Sequence, residues 1–194
     1  ASLVGSEMCI RDSVSLSLHK EKRRAHTQGV SDTAVQLAQK YGADTQLAAR
    51  AGILHDVTKA LTPGEQQALI GRWRLPVTDF ERANPQLLHA KTGAAAAQSI
   101  FGESDAVVSA IKYHTTGKPD MTALEKIIYL ADMIEPNRTY PGVDAIREAA
   151  ARDLDAGVLL ALERTIAFLQ EERAAVCETS IHARDWLLQA RKEL

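Results

Sequence analysis

Cysteine is scarce in this sequence: only Cys9 and Cys177 occur among its 194 residues. The two residues form no Cys-x-x-Cys pair, which excludes a cysteine-rich zinc site. A disulfide between them stays open, but a reducing setting fits such a low cysteine content better. We therefore expect a cytoplasmic protein.

The chain also lacks an excess of basic residues and a long apolar run. Its formal net charge is -2 and its pI is ≈ 6.3, whereas a general nucleic-acid binder is usually basic. No apolar run approaches the roughly 18 residues that a membrane span needs. We expect neither a nucleic-acid partner nor a membrane span. A small anionic substrate remains compatible, because a local cluster of Lys, Arg and metal can bind it at any net charge.

The first residues, ASLVGSEMCIRDS, lack both the apolar core of a secretory signal and a clear helical period. We interpret residues 1–15 as a non-native or disordered leader and residues 16–194 as one domain. With 45% apolar and 25% charged residues, the chain has the composition of an ordinary soluble globular protein. Its length suffices for a sizeable core.

Strand signals are missing too, since there is no long alternation of period two and no Asn-Gly or Asp-Gly hairpin. Apolar residues instead recur at spacings of three and four, which predicts a helix over 17–41. Thr62 with Glu65, and Thr122 with Glu125, form capping boxes that predict two helix starts. Other predicted helices run from Asp44 to His55-Asp56, from Asn84-Pro85 to Gly102, from Ser104 to His114, and over 143–151, 153–172 and 178–192. The predicted fold is all-α.

The dipeptide His55-Asp56 is the first candidate for chemistry. Such a pair is expected about 0.4 times by chance in a chain of this composition, so it needs context. It follows Ala51-Gly52-Ile53-Leu54, the apolar end of a predicted helix, where an unpaired Asp is costly. Lys59 would bring a positive charge to Asp56, as a phosphate-binding cation does. The alternative for Lys59 is an ordinary interaction with the helix dipole.

Asp132 is the second core-directed carboxylate. It follows the apolar run Ile127-Ile128-Tyr129-Leu130-Ala131, and its partners on the same helix face are Ile128 and Tyr129. A buried carboxylate without a partner is improbable, so we expect it to bind a metal or to form an ion pair. The alternative role is a purely structural pair with Arg138 or Lys126.

Four of the six histidines lie beside apolar helix faces, each on a different predicted helix: His26, His55, His89 and His114. Taken singly, each could be an ordinary surface or hydrogen-bonded core residue. A helical bundle would bring them together with the two aspartates. Imidazole and carboxylate ligands without thiolate suit iron, manganese, cobalt, nickel or zinc in an open catalytic site, where the metal lowers the pKa of water. His19 and His182 are expected to be solvated.

The order His26, His55-Asp56, Asp132 resembles that of the HD-domain metal-dependent phosphohydrolases. Five segments are similar in sequence and order to the YqeK family of bacterial HD proteins, over about residues 18–192: RRAHTQGV, AGILHDVTK, LLHAKTGA, AIKYHTTGKPDM and LEKIIYLADMIEPNR. The resemblance implies an HD-domain helical bundle. It also implies symmetrical hydrolysis of diadenosine tetraphosphate and related dinucleotides to two nucleoside diphosphates.

The resemblance further implies roles for individual residues. The implied metal ligands are His26, His55, Asp56 and Asp132. The implied substrate contacts are Arg23, Asp56, Lys59, His89, His114, Asp132 and Arg138, and the implied catalytic residues are Asp56, Lys59, His89 and His114. One or two iron ions are expected, with manganese, cobalt, nickel, zinc or magnesium as alternatives, and the family allows a homodimer. A His-Pro pair usual in the family is replaced by Cys177-Glu178, so no role is assigned to the segment that includes Arg184.

The implied mechanism is an in-line attack of water on one phosphorus, while metal and cations take up charge on the phosphate oxygens. One alternative is another HD nucleotide phosphohydrolase, such as a nucleotidase or a guanosine tetraphosphate hydrolase. Cyclic-dinucleotide phosphodiesterases commonly carry a Gly-Tyr-Pro element, which this sequence lacks. The alternative outside enzymes is a nucleotide sensor that has lost turnover, and the full ligand set argues against it.

Overall fold

The structure, a computed structural model, describes residues 21–192, with side chains from residue 23 onward. Every regular element in this range is a helix, so the predicted all-α class is confirmed. The helices are α1 (Glu21–Tyr41), α2 (Thr45–Leu54), α3 (Pro63–Trp73), α4 (Asp79–Ala83), α5 (Leu88–Ser99), α6 (Asp105–Tyr113), α7 (Ala123–Ile134), α8 (Val143–Arg152), α9 (Leu154–Glu171) and α10 (Glu178–Ala190). The predicted leader, Cys9 and His19 lie outside the described residues.

Side-chain caps begin several of these helices where the sequence predicts them. The boxes of Thr62 with Glu65 and of Thr122 with Glu125 are both complete, with each threonine accepting from the glutamate's backbone N–H. Asp44 accepts from two backbone N–H groups at the start of α2. These caps satisfy N–H groups that have no partner inside the helix. They therefore fix where α2, α3 and α7 start.

The region around Asn84-Pro85 departs from prediction. Pro85–Leu87 is a 3₁₀ turn, and α5 begins only at Leu88 and ends at Ser99, short of the predicted Gly102. Asn84 makes no side-chain cap, because its amide donates instead to the carbonyl of Phe80 at 2.8 Å. The predicted helix start at Asn84-Pro85 is therefore wrong. The short helix α4 was not predicted, although its capping box is complete.

Helix α7 lies at the centre of the fold. It packs against α1, α2, α6 and α9, and Ile127, Ile128, Leu130 and Ala131 are fully buried. The apolar run before Asp132 is thus core, as its period predicts. Because α7 contacts α1, which carries His26, and α2 and α6, which end next to His55 and His114, the aspartate at its end lies close to residues far away in sequence.

Two glycines allow close helix crossings. A Cβ added at Gly52 on α2 would lie 2.7 Å from the Cα of Ser31 on α1. A Cβ added at Gly157 on α9 would lie 2.8 Å from the Cα of Ala150 on α8. Both distances are shorter than atoms tolerate, so the absence of a side chain sets the spacing of each pair of helices. No helix within residues 21–192 is long and apolar enough to cross a bilayer.

The turn that follows α7 is held by Arg147 of α8. Its guanidinium donates to the carbonyls of Ile134 at 3.0 Å, Glu135 at 2.9 Å and Arg138 at 2.8 Å. A single planar group thus donates hydrogen bonds to three main-chain carbonyls that have no partner within helix α7. The backbone that follows Asp132 is thereby fixed.

Candidate functional site

Asp56 lies at the centre of a buried cluster of polar side chains. Helix α2 ends at Leu54, and the turn that follows directs the Asp56 carboxylate into the protein, where its side chain is 4% exposed. One oxygen, Oδ1, lies 3.2 Å from His89 Nε2 and 3.5 Å from His114 Nε2. The other, Oδ2, lies 3.1 Å from Lys59 Nζ and 3.6 Å from His55 Nε2. The carboxylate therefore faces two groups of side chains at once.

Asp132 supplies a second carboxylate to the same cluster. Its Oδ1 lies 3.2 Å from His26 Nε2 and 3.9 Å from His55 Nε2. The same oxygen lies 2.5 Å from Arg138 Nη2. The predicted core-facing aspartate and its alternative pairing with Arg138 are thus both present. Lys126, the other partner considered, pairs with Asp155 at 2.6 Å instead.

Three of the imidazoles are oriented by main-chain carbonyls three residues earlier. Nδ1 lies 2.7 Å from the Gly52 carbonyl in His55, 2.6 Å from the Gln86 carbonyl in His89, and 2.7 Å from the Ile111 carbonyl in His114. A carbonyl only accepts hydrogen bonds, so in each case Nδ1 carries the proton and donates it. In the neutral rings, the Nε2 lone pairs therefore point into the cluster, as metal-binding histidines require.

The surroundings shift the pKa values of these groups. Burial lowers the pKa of His55 to about 4 and also lowers that of His89. Burial opposes ionisation of Asp56 and Asp132, but interactions with the neighbouring histidines outweigh it and hold both pKa values well below their usual range. Burial likewise opposes a charge on His26, but its hydrogen bonds to Asp132 and Glu135 outweigh it and raise the pKa of that imidazole. Two carboxylates therefore stay charged beside neutral His55 and His89 near pH 7.

The cluster fits a divalent metal ion. Among the residues that the structure describes, His55 Nε2 and Asp56 Oδ1 are buried polar atoms without a hydrogen-bond partner. In each of two groups of three residues, the ligand atoms lie within 4.8 Å of one another: His26, His55 and Asp132, and His55, Asp56 and His114. Lone pairs and negative oxygens at such distances repel one another unless a cation lies between them. Imidazole nitrogen and carboxylate oxygen suit iron, manganese, zinc and similar ions.

Cationic side chains surround the buried cluster. Arg23 Nη1 lies 4.0 Å from Asp56 Oδ2, and the side chains of Lys59 and Arg138 are 39% and 35% exposed. Lys59 and His89 also line a cavity of about 200 Å³ with Leu61, Pro63, Gln66, Pro85 and Gln86. The site therefore presents positive charge to solvent and buries its ligand atoms, an arrangement suited to a phosphate compound.

The structure brings together all nine residues that the sequence singled out for the site: Arg23, His26, His55, Asp56, Lys59, His89, His114, Asp132 and Arg138. His182 is exposed, as predicted. In the C-terminal segment, Cys177 precedes α10 without a side-chain cap, and Arg184 pairs with Asp185 at 2.6 Å. Helix α10 packs behind the loop after His114, since a Cβ added at Gly117 would lie 3.4 Å from the Ala183 Cβ.

Glu135 is the member of the cluster that the sequence reasoning missed. It is 1% exposed, and its Oε1 lies 3.1 Å from His26 Nδ1. A sequence signal existed, because Glu135 follows Asp132 by three residues and so lies on the same side of the helix end.

The sequence of this chain is similar to those of known proteins. Residues 23–137 match the family model described as HD domain. The chain is 40% identical over 169 residues to a protein of Bacillus subtilis named symmetrical bis(5'-nucleosyl)-tetraphosphatase, covering 87% of this chain and 90% of the relative. A protein of the same name from Halalkalibacterium halodurans is 42% identical over 173 residues, covering 89% and 92%.

A solved structure has the same fold. It is a crystal structure from Clostridium acetobutylicum, described as a predicted HD superfamily hydrolase involved in NAD metabolism. Its TM-score is 0.87 at 37% sequence identity, and the match covers 93% of this chain and 96% of that one. The likeness therefore extends through the C-terminal helices, beyond the residues that the family model matches.

Proposed function

The chain belongs to the HD-domain family, and we propose that it is a hydrolase that cleaves diadenosine tetraphosphate and related dinucleoside polyphosphates symmetrically to two nucleoside diphosphates. The observation that carries the proposal is the complete His/Asp cluster with its cationic rim. It occurs in a chain that matches relatives named symmetrical bis(5'-nucleosyl)-tetraphosphatase over most of its length. A sensor that had lost turnover would not need to keep both the ligand set and the phosphate-binding cations.

His26, His55, Asp56 and Asp132 would hold the metal ion that the HD domain implies. Iron is the proposed metal, and manganese, cobalt, nickel, zinc and magnesium are the alternatives. His55 belongs to both groups of converging ligand atoms, and the two oxygens of Asp56 face different groups. That arrangement is compatible with one or two ions. A bound ion would polarise a phosphate oxygen and lower the pKa of water.

The remaining side chains would bind and orient the substrate. Arg23, Lys59 and Arg138 would contact the phosphates and neutralise the charge that develops on the departing nucleoside diphosphate. His89 and His114 face Asp56 Oδ1 with their Nε2 atoms. With the proton on Nδ1 they would bind a second metal ion, whereas a hydrogen bond to a phosphate oxygen would require a proton on Nε2 as well. Asp56 Oδ1, buried and without a hydrogen-bond partner among the described residues, would accept a hydrogen bond from the attacking water and so aim it at phosphorus.

The proposed partner is a small dinucleoside polyphosphate, and the proposed location is the cytoplasm. We also predict no nucleic-acid partner and no membrane association, and the family resemblance allows a homodimer. The interpretation of residues 16–194 as one HD domain with residues 1–15 as a leader remains a prediction.

A substrate screen with metal content measured in the same sample tests the proposal. Purified protein is assayed against dinucleoside tetraphosphates, mononucleotides and guanosine tetraphosphate, as isolated and after addition of iron or manganese. We expect bound metal and a strong preference for dinucleoside tetraphosphates. Preference for mononucleotides or guanosine tetraphosphate would point to another HD phosphohydrolase. The enzyme assignment would be overturned if the purified protein contained no metal and also showed no activity after iron or manganese was added.

A further inference from the structure

His26 differs from the other three imidazoles of the cluster in where it lies along its helix. His55 and His114 are the C-caps of α2 and α6, where the last carbonyls have no helical partner and can accept from Nδ1. His26 instead lies inside the 21-residue helix α1. The carbonyls around it accept N–H groups of their own helix. A histidine in that place needs an acceptor from another element to orient its Nδ1–H.

Glu135 supplies that acceptor from the end of α7. Its Oε1 lies 3.1 Å from His26 Nδ1, and the residue is 1% exposed. Its Oε2 accepts from the Asn137 backbone N–H at 2.7 Å and from the Asn137 amide Nδ2 at 2.9 Å. With two donors on one oxygen, the carboxylate cannot rotate away from the imidazole without losing both bonds.

The helix opposite leaves room for this carboxylate. Gly29 follows His26 by three residues on α1, so the two share a helix face. A Cβ added at Gly29 would lie 2.6 Å from Glu135 Oε2 and 3.4 Å from Asn137 Nδ2. Any side chain at this position would push the carboxylate from its place. The space beside His26 is therefore reserved for Glu135.

An ordinary ion pair does not account for this burial. Arg138 Nε lies 4.0 Å from Glu135 Oε1, and its guanidinium donates to the Asp132 carbonyl at 2.8 Å and to the Asp132 carboxylate. The nearest cationic group is thus engaged elsewhere. Among the described residues, the His26 imidazole is the side chain from outside the α7 turn that the Glu135 carboxylate contacts at hydrogen-bond distance.

We propose that Glu135 is a positioning residue for the metal site: by accepting the Nδ1–H of His26, it fixes the tautomer and ring orientation that present His26 Nε2 to the ion. A carboxylate behind a metal-bound imidazole also makes that imidazole a stronger ligand. The proposal rests on the proposed function, since it assigns Glu135 to the same metal site.

Glu135→Gln tests the proposal through the chemistry of the amide. The two donors of Asn137 hold an oxygen in place, so the glutamine would turn its NH₂ group towards His26. That group donates, which forces His26 to accept at Nδ1 and to carry its proton at Nε2. The lone pair needed by the metal is then lost from Nε2. We expect metal affinity, measured by chelator competition, to fall about 10–100-fold.

Glu125→Gln is the matched control. Glu125 is also on α7 and 2% exposed, but its partners are Thr122, Ser109 and Lys118. Glutamine also serves in a capping box, so the metal affinity of this variant should equal that of the wild type. Gly29→Ala leaves both charges in place and displaces the carboxylate, so it should also weaken metal binding. Wild-type affinity in the Glu135→Gln protein would overturn the proposal.

The imidazole ¹⁵N resonances of metal-free wild-type protein provide a readout that requires neither a variant nor activity. At a pH where the ring is neutral, Glu135 at Nδ1 and Asp132 at Nε2 compete for its one proton, at 3.1 and 3.2 Å. Because Asp132 Oδ1 already accepts from Arg138, His26 should carry the proton on Nδ1, and in Glu135→Gln the proton should move to Nε2. An Nε2–H tautomer of His26 in the wild type would overturn the proposal even if no variant folded. Failure of the wild type to bind metal would instead refute the proposed function and leave the tautomer test standing.

Discussion

Asp56 carries a buried negative charge that lies close to six charged or titratable side chains. Its two oxygens lie between 3.1 and 4.0 Å from Lys59, His89, His114, His55, His26 and Arg23. Like His55, Asp56 lies close to members of both groups of ligand atoms, since its oxygens approach His26 at 3.9 Å and His114 at 3.5 Å. Loss of this carboxylate should therefore remove metal binding and water orientation together.

Asp56→Ala should reduce turnover of diadenosine tetraphosphate by at least about 100-fold, because charge stabilisation at the reacting phosphate is usually the largest contribution to catalysis. The far-ultraviolet circular dichroism spectrum should remain helical. Asp155→Ala is the control, since Asp155 forms a partly exposed pair with Lys126 and should keep near-wild-type turnover. Near-wild-type activity in Asp56→Ala would refute the site assignment.

His55 makes the stability of the metal-free protein depend on pH. Its pKa falls from 6.5 to about 4 on burial, so between these values the unfolded chain binds a proton that the folded protein excludes. Stability should therefore fall as the pH falls from 6.5 to about 4, by about 3 kcal/mol from this residue alone. The lowered pKa values of Asp56 and Asp132 make stability fall further at lower pH. The raised pKa of His26 has the opposite effect on stability: its contribution is complete below pH 6.5 and is lost as the pH rises through the raised pKa.

Denaturant unfolding of metal-free protein across this range measures the effect. In His55→Gln, the loss of stability between pH 6.5 and 4 should be smaller than in the wild type, because a group that must lose its proton on folding has been removed. Equal losses in the two proteins would contradict the assignment of this pH dependence to His55.

At the scale of helices, the crossing of α1 and α2 brings His26 and His55 together, with ring centroids 5.3 Å apart. Gly52 lies at this crossing, where an added Cβ would lie 2.7 Å from Ser31 Cα and 3.0 Å from Ser31 N. The obstructing atoms belong to main chain, which cannot rotate aside as a side chain can. A methyl group there must push the two helices apart.

Gly52→Ala should lower the free energy of unfolding by about 1–3 kcal/mol through overpacking, and should weaken metal binding because the two imidazoles separate. Gly71→Ala is the control, because Gly71 is an exposed helical residue with nothing within 4 Å of an added Cβ. Alanine should stabilise that position by about 0.5–1 kcal/mol. Equal stabilisation by both substitutions, measured by denaturant unfolding, would contradict the role given to Gly52.

Local signals in the sequence predict most helices correctly, because caps and apolar periods act within a few residues of where they are read. The boxes at Thr62 and Thr122 place their helices, whereas the Asn84-Pro85 start is wrong because the Asn84 amide bonds backward to Phe80. A capping residue has more than one acceptor or donor within reach. The choice depends on tertiary packing that a local pattern does not contain.

Individual site residues could be predicted where burial of a charged side chain without a partner would cost free energy. Asp56 and Asp132, each at the end of an apolar helical run, are such residues. Glu135 escaped prediction because its role depends on a contact with His26, 109 positions away in sequence. Gly29 escaped for the same reason, since its value is the space it leaves for Glu135. Such pairings become visible only when α1 and α7 are seen side by side.

At the scale of the whole molecule, the site is assembled from five helices and their ends. The crossings set by small residues bring α1, α2 and α7 together, and α5 and α6 contribute His89 and His114. The residues that carry charge for phosphate lie at the rim, and the residues that offer lone pairs for metal lie inside. Under the proposed function, this separation would let a protein with a net charge of -2 bind a highly anionic substrate.

The most direct test of the account is product analysis with diadenosine tetraphosphate in ¹⁸O-labelled water. Attack of one water on an inner phosphorus should give ADP as the sole nucleotide product. Because one water enters per cleavage, only one of the two ADP molecules should carry the label, on its terminal phosphate. Formation of AMP and ATP would contradict symmetrical cleavage by this site.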